Sequence, residues 1–213
     1  MFPFILMIVL SYLAGSIPTA IIVSRIVMKD DIRNHGSKNA GATNVYRVMG
    51  WKTALVVSIV DIGKGVLSTL VISKLGMGTI SIDPVLVQLI SGFSAIFGHI
   101  FTIFAGFKGG KGVWTAFGVL VGLVPVAALS ALVIFILVVV ICRIVSVASM
   151  SAAIGVPVIL ILQKYVFHQN ISMILIYTGI ILALLILFTH RANIGRLIRG
   201  EENKFSKPKK DDK

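Results

Sequence analysis

Six long apolar stretches constrain this chain more than any other feature: Phe2 to Val27, Thr53 to Ile72, Val85 to Phe104, Val113 to Ile141, Ile144 to Leu162 and Ile171 to Thr189. Each is near or above the roughly 20 residues a helix needs to cross the hydrocarbon of a bilayer. Of 213 residues, 57% are hydrophobic and 13% charged, which leaves too little polar surface for a soluble domain of this size. The expected fold class is therefore all-α, a polytopic integral membrane protein whose helices pack on one another within lipid. The first stretch lacks a basic leader, continues past Ile17 to Val23 and is closed by Arg25 and Lys29, so a retained span is expected rather than a signal peptide.

Charge sets the number of spans. A formal charge of +12 on a soluble protein would suggest nucleic acid, but here the basic residues lie between and after the apolar runs, where they orient spans and meet anionic lipid. Basic residues are dense from Arg25 to Lys52 and from Arg191 onward, with Lys108 and Lys111 between the third and fourth stretches. All three segments are expected to be cytoplasmic. An even number of spans cannot satisfy this, whereas seven spans with the N-terminus outside and the C-terminus cytoplasmic do. The fourth stretch supplies the extra span if it breaks near Pro125, after Gly118 and Gly122, into a short span from Val113 to about Leu123 and a second ending by Arg143. The domain expectation is one transmembrane domain over residues 1–200 and a basic cytoplasmic tail over 201–213, Lys-rich and disordered from Lys204.

Three polar segments lie at span ends. The run from Asp31 to Arg47 carries Arg33, Lys38 and Arg47 among Ser37, Asn39, Thr43 and Asn44, with turns allowed by Gly36 and Gly41; such a set can surround an oxyanion. Loop composition with positive-inside charge would account for this segment alone equally well. The second, Gly98-His99 followed by Phe107-Lys108-Gly109-Gly110-Lys111-Gly112, puts two lysines among glycines just before a new helix, where N–H groups and the helix start can meet a phosphate. It is not a Walker A loop, since Ala105 stands at the first glycine position and Gly112 follows Lys111. The third has His190, Asn193 and Arg196 or Leu197 at steps of three to four, which a helical continuation of the last span would align in one polar stripe. Within the spans, Asp61 and Lys64 share a helical face and read as a structural ion pair. Ser11, Gly15, Ser16 and Pro18 read as close packing with a kink. Cys142 allows no internal disulfide, and no cluster has metal-ligand spacing.

These segments resemble the bacterial membrane glycerol-3-phosphate acyltransferases that use acyl phosphate as donor. The resemblance rests on Gly15-Ser16-Ile17-Pro18-Thr19, Asp31-Ile32-Arg33, Gly36 to Asn44 with Arg47, Asp61-Ile62-Gly63-Lys64-Gly65, Gly98-His99 with Phe107 to Gly112, and His190 with Asn193, Arg196 and Glu202. It implies a seven-span, multi-pass enzyme of the bacterial inner membrane, metal-free and cofactor-free, with its active site at the cytoplasmic face. The implied reaction moves a fatty acyl group from acyl phosphate to the 1-position of sn-glycerol 3-phosphate, releasing inorganic phosphate and lysophosphatidic acid. The residues expected in catalysis are Ser37, Lys108, His99 and His190. Those expected in substrate binding are Arg33, Asn39, Thr43, Asn44, Arg47, Gly109, Gly110, Lys111, Gly112, Asn193 and Arg196. Thr102 stands where such proteins usually carry proline, and Trp114 where a small residue is common. Expected partners are the two substrates, membrane lipids and the soluble enzyme that makes acyl phosphate, with no nucleic acid and a monomeric state. No nucleophile–base pairing is legible, so direct attack of the glycerol hydroxyl is expected, with a phosphate oxygen, His99 or His190 taking the proton. The rival class is an organic-phosphate transporter or exchanger, against which stands the lack of an internal repeat.

Overall fold

The structure, a computed structural model, describes residues 1–205. All regular elements among them are helical. They are α1 (Phe2–Ser16), α2 (Thr19–Met28), α3 (Ala42–Met49), α4 (Trp51–Leu70), α5 (Pro84–Ile100), α6 (Val113–Leu123), α7 (Pro125–Cys142), α8 (Val145–Tyr165), α9 (Met173–Thr189) and α10 (Arg191–Ile198), with short 3-10 turns at Ile32–Asn34, Ile72–Leu75 and Ile103–Ala105. The expected disordered tail lies outside the described residues from position 206 on.

Five segments are long and apolar enough to cross a membrane: Phe2–Met28, Trp51–Leu75, Pro84–Ala105, Pro125–Cys142 and Val145–Tyr165. A sixth arises if α9 and α10, bent by 60° at their junction, count as one span. The expected break in the fourth apolar stretch is present: α6 stops at Leu123 and α7 starts at Pro125, which occupies the first helical turn, where its missing N–H costs nothing. α6 is a shorter apolar helix. Large apolar side chains on α7, among them Leu129, Val133, Ile136, Leu137 and Val140, are exposed, as befits helices dissolved in lipid.

The chain forms two compact units, Met1–Leu123 and Val124–Phe205. In the first, α1 packs on α5, and α4 on α6. Glycine permits both crossings: a Cβ on Gly15 would lie 2.0 Å from the Ala95 carbonyl oxygen and one on Gly98 2.1 Å from that of Tyr12, while Gly65 and Gly118 play the same part between α4 and α6. Ser11 and Ser91 join hydroxyls at 2.7 Å across α1 and α5. In the second unit α8 packs between α7 and α9. The kink expected in the first span is a full break at Ile17–Pro18, because Pro18 has no N–H to continue α1.

Candidate active site

The first polar segment is built around Asn44. Its buried amide nitrogen lies within hydrogen-bonding distance of the carbonyls of Ile32 (3.1 Å), His35 (3.0 Å) and Asn39 (3.0 Å), and its oxygen accepts the Ser37 N–H at 2.8 Å. The side chain expected to bind substrate thus has its polar capacity engaged in shaping the loop. Gly36 completes the turn: its φ of +55° suits glycine, and a Cβ there would fall 2.4 Å from Asn44 Oδ1. Ser37, Asn39 and Thr43 are half-buried around this turn, and Arg47 lies in the last turn of α3.

Arg33 ties the first segment to the second. It meets both oxygens of Asp31 (Nε–Oδ1 3.0 Å, Nη2–Oδ2 2.8 Å) and donates to the carbonyls of Ala105 (2.9 Å) and Lys108 (3.3 Å). The guanidinium of Arg33 holds the Asp31 carboxyl down to about 2, and Asp31 in turn raises Arg33. The glycine–lysine segment then folds back on the end of α5. Gly109 N–H donates to Ile100 (3.0 Å) and Gly110 N–H to His99 (3.1 Å), so these two N–H groups cap a helix rather than converge on open space. A Cβ on Gly110 would lie 2.2 Å from His99 Nε2, and one on Gly109 2.0 Å from the His99 carbonyl oxygen. Lys108 is exposed, Lys111 half-buried and Gly112 buried, with Ala116 N–H bonding Gly112 O at the start of α6. Thr102, where proline was the expected residue, donates its hydroxyl to the Ser16 carbonyl at the end of α1. The Trp114 ring meets Phe117 edge-on at 5.9 Å.

Beneath this loop lies a buried charged cluster. The expected Asp61–Lys64 pair forms at 2.6 Å, with side chains 3% and 5% exposed. Lys64 Nζ also donates to the Ile17 carbonyl at 2.5 Å, which accepts the Thr19 N–H at 2.9 Å as well, and Thr19 donates its hydroxyl to Asp61 at 3.2 Å. His99 Nδ1 stands 3.7 Å from the same carboxylate. Thr19, Asp61, His99, Thr102 and Gly110 line a cavity of about 10 Å³, which is water-sized. Thr19 and Lys64 were not among the expected site residues; the break at Pro18 is the signal that turns the Ile17 carbonyl and the Thr19 hydroxyl toward this cluster.

Two larger cavities open beside the loop. One of about 660 Å³ is lined by Arg25, Asp31, Arg33, Asn34, Ala105, Gly106 and Lys108. The other, of about 360 Å³, is lined by Ile17, Pro18, Ile21, Ile22, Arg25, Phe104 and Ala105. They share Arg25 and Ala105, so a basic mouth adjoins an apolar groove. Arg25 escaped the sequence reading because it stands before the polar run and looks like a span-ending cation.

In the second unit the third segment gathers on a carboxylate. Glu202 accepts from Ser146 (2.8 Å), Asn193 (2.6 Å) and Arg196 (2.7 Å). Burial pushes the Glu202 carboxyl up, but the bonds from Asn193, Arg196 and Ser146 outweigh it and hold the group below its usual range. The straight continuation of the last span is corrected: the chain bends by 60° at His190, which caps α10 with its carbonyl accepting the Ile194 N–H at 2.9 Å and whose Nδ1 lies 2.8 Å from the Ile186 carbonyl. A carbonyl only accepts, so Nδ1 is the donor in this contact. Ser146 carried no signal in the sequence.

The profile of the glycerol-3-phosphate acyltransferase family matches residues 5–200. Glycerol-3-phosphate acyltransferases of Chlorobium phaeobacteroides (strain BS1) and Chlorobaculum tepidum are 45% and 43% identical, over 96% and 97% of this chain and 97% and 98% of their own length. Among solved structures, PlsY (YgiH), an integral membrane glycerol 3-phosphate acyltransferase, is similar in its glycerol 3-phosphate form with a TM-score of 0.82 at 32% identity, over 95% of this chain and 96% of that one. Its lysophosphatidic acid form gives 0.79 at 31%, over 95% of both chains. Matched over nearly its whole length in sequence and in fold, the chain belongs to the glycerol-3-phosphate acyltransferase family, integral membrane enzymes of phospholipid synthesis.

Proposed function

We propose that this protein transfers a fatty acyl group from acyl phosphate to the 1-hydroxyl of sn-glycerol 3-phosphate, giving 1-acyl-sn-glycerol 3-phosphate and inorganic phosphate. The observation that carries the donor is the pair of adjoining cavities, one rimmed by cations and the other apolar, which suits an amphiphile with a phosphate head. The solved relative holds glycerol 3-phosphate in one form and lysophosphatidic acid in another, in keeping with this acceptor and product. The setting is a bacterial inner membrane. Seven spans follow if α6 crosses as a short span beside the five long segments and the bent pair, with the N-terminus outside and the basic loops cytoplasmic.

The glycerol oxygen attacks the acyl carbonyl carbon, the bond from that carbon to the phosphate oxygen breaks, and phosphate leaves with the electron pair. Lys108 and Lys111 offset charge on the departing phosphate. The hydroxyl proton passes to a phosphate oxygen, with His99 and His190 as the competing acceptors. Ser37, Asn39, Thr43, Arg33 and Arg47 form the substrate-binding set of the first segment, with Asn44 shaping its loop; His190, Asn193 and Arg196 form that of the third. No metal or cofactor takes part, the protein acts as a monomer, and the enzyme that makes acyl phosphate is its metabolic partner. Purified protein assayed with synthetic acyl phosphate and, separately, with acyl-coenzyme A tests the donor. Product from acyl phosphate alone is expected; product from acyl-coenzyme A alone would overturn the proposal.

A further inference from the structure

Arg25 stands where the two open cavities meet. It lies in the last turn of α2, and helical spacing places Pro18, Ile21, Ile22 and Arg25 along one stripe, apolar for its first turns and charged at its end. Phe104, 61% exposed, forms the opposite wall, and Ile22, 42% exposed, faces the same groove. An apolar channel that runs to a cation at one end is the complement of a single-chain anionic amphiphile. The acceptor, glycerol 3-phosphate, has no chain to place there.

The two arginines at the mouth differ in how firmly they are held. Arg33 takes both oxygens of Asp31 and the Ala105 carbonyl. Arg25 makes one contact at 3.3 Å with an Asp31 oxygen already bonded to Arg33, and its side chain is 65% exposed. An arriving phosphate can therefore take Arg25 from Asp31 while Arg33 keeps that carboxylate neutralised, so the acid lining the same cavity does not repel the ligand. Lys108, exposed on the same cavity, supplies a second cation.

Resting on the acyl-phosphate reading, we infer that Arg25 is a donor-binding residue: with Lys108 it receives the phosphate of acyl phosphate, and the first part of the acyl chain lies along Ile17, Pro18, Ile22 and Phe104. The chain enters from the lipid side and its carbonyl carbon is held at the junction of the cavities.

The test uses the full chain in detergent and a dodecyl phosphate with a diazirine midway along its chain, which binds without donating an acyl group. After irradiation, label is expected within residues 17–22 or 103–105, competed by unlabelled dodecyl phosphate and not by dodecanol. Arg25→Ala should raise the concentration for half-maximal labelling about tenfold, as loss of a charge-assisted contact implies, and Arg25→Lys by less. Phe104→Ala, at a side chain 61% exposed, should reduce the labelling yield at 17–22. Label spread over lipid-facing helices without competition, or an Arg25→Ala protein that labels like the unmodified one, overturns the site. Labelling as expected from a protein that makes no product from acyl phosphate would sink the donor reading and leave the amphiphile site standing. Product formation with no effect of Arg25→Ala would do the reverse.

Discussion

Each compact unit of this protein buries one carboxylate within a cluster of polar side chains, and the two centres are dressed differently. Asp61, on a membrane-spanning helix, is matched by an ammonium from its own helix and a hydroxyl from the start of α2, with His99 of α5 close by. Glu202, beyond the last helix, is matched by one guanidinium, one amide and one hydroxyl. The side chains of the first pair are 5% and 3% exposed, whereas Arg196 of the second keeps its side chain 30% exposed. Where solvent is absent, a charge needs its counter-charge at contact distance, and removing one partner strands the other. Where water reaches one partner, it takes over part of the lost interaction.

The sharpest way to break this comparison is Asp61→Ala. It leaves the Lys64 ammonium buried without its carboxylate, and about 3 to 5 kcal/mol of stability should be lost, read from thermal unfolding in detergent. Adding Lys64→Met to Asp61→Ala removes the stranded charge and should recover most of the loss. A single variant that unfolds with the unmodified protein would mean that water or lipid headgroups reach Asp61, and the two centres would then be alike.

How much of this was legible depended on distance along the chain. The Asp61–Lys64 pair follows from helical spacing alone, and the break before Pro125 follows from proline chemistry. Thr19 and His99 join the same centre through contacts 42 and 38 positions from Asp61, which composition and spacing do not report. Asn44 shows a second limit: an asparagine that binds a ligand and one that holds a loop are the same letter, and only its saturated contacts tell them apart. Glu202 shows a third. It is legible as one of the residues that carry the family resemblance, but its partners are not: the bend at His190 that lets α10 present Asn193 and Arg196 to it is a tertiary choice, not a helix signal.

A smaller effect isolates the role of burial from that of geometry. Arg196–Glu202 and Arg199–Glu201 have the same 2.7 Å separation, but the first pair is 30% and 4% exposed and the second 58% and 58%. Glu202→Gln should cost about 1 to 2 kcal/mol, since a charge-assisted acceptor is lost where water replaces it poorly. Glu201→Gln should stay within about 0.5 kcal/mol, the usual worth of an exposed pair. Equal losses in the two variants, measured by unfolding side by side, would show that contact distance rather than burial sets the value.

The shallowest expected effect belongs to Asp31, the carboxylate of the rim. Its folded-state pKa of about 2 lies below the roughly 3.9 of an unperturbed aspartate, so the unfolded chain takes up the proton first as pH falls. Stability from this group is therefore complete above about pH 4 and is lost as pH drops through about 2. Asp31 is not alone in that window, because Glu202 is depressed as well, and its loss falls over the acid range below its own ordinary value. Asp31→Asn should accordingly flatten the acid limb of the stability curve without abolishing it, and the residual slope should shrink further in Glu202→Gln. Arg25 and Arg33 are side chains at an open cavity, so the Asp31 contribution should also diminish in high salt, where exposed charges are screened within about 10 Å or less. Unfolding midpoints taken between about pH 5 and pH 2 at two ionic strengths decide the matter. Parallel curves for Asp31→Asn and the unmodified protein would place the carboxylate outside the folding equilibrium. A salt-insensitive Asp31 contribution would instead make the rim behave like the sealed centre at Asp61.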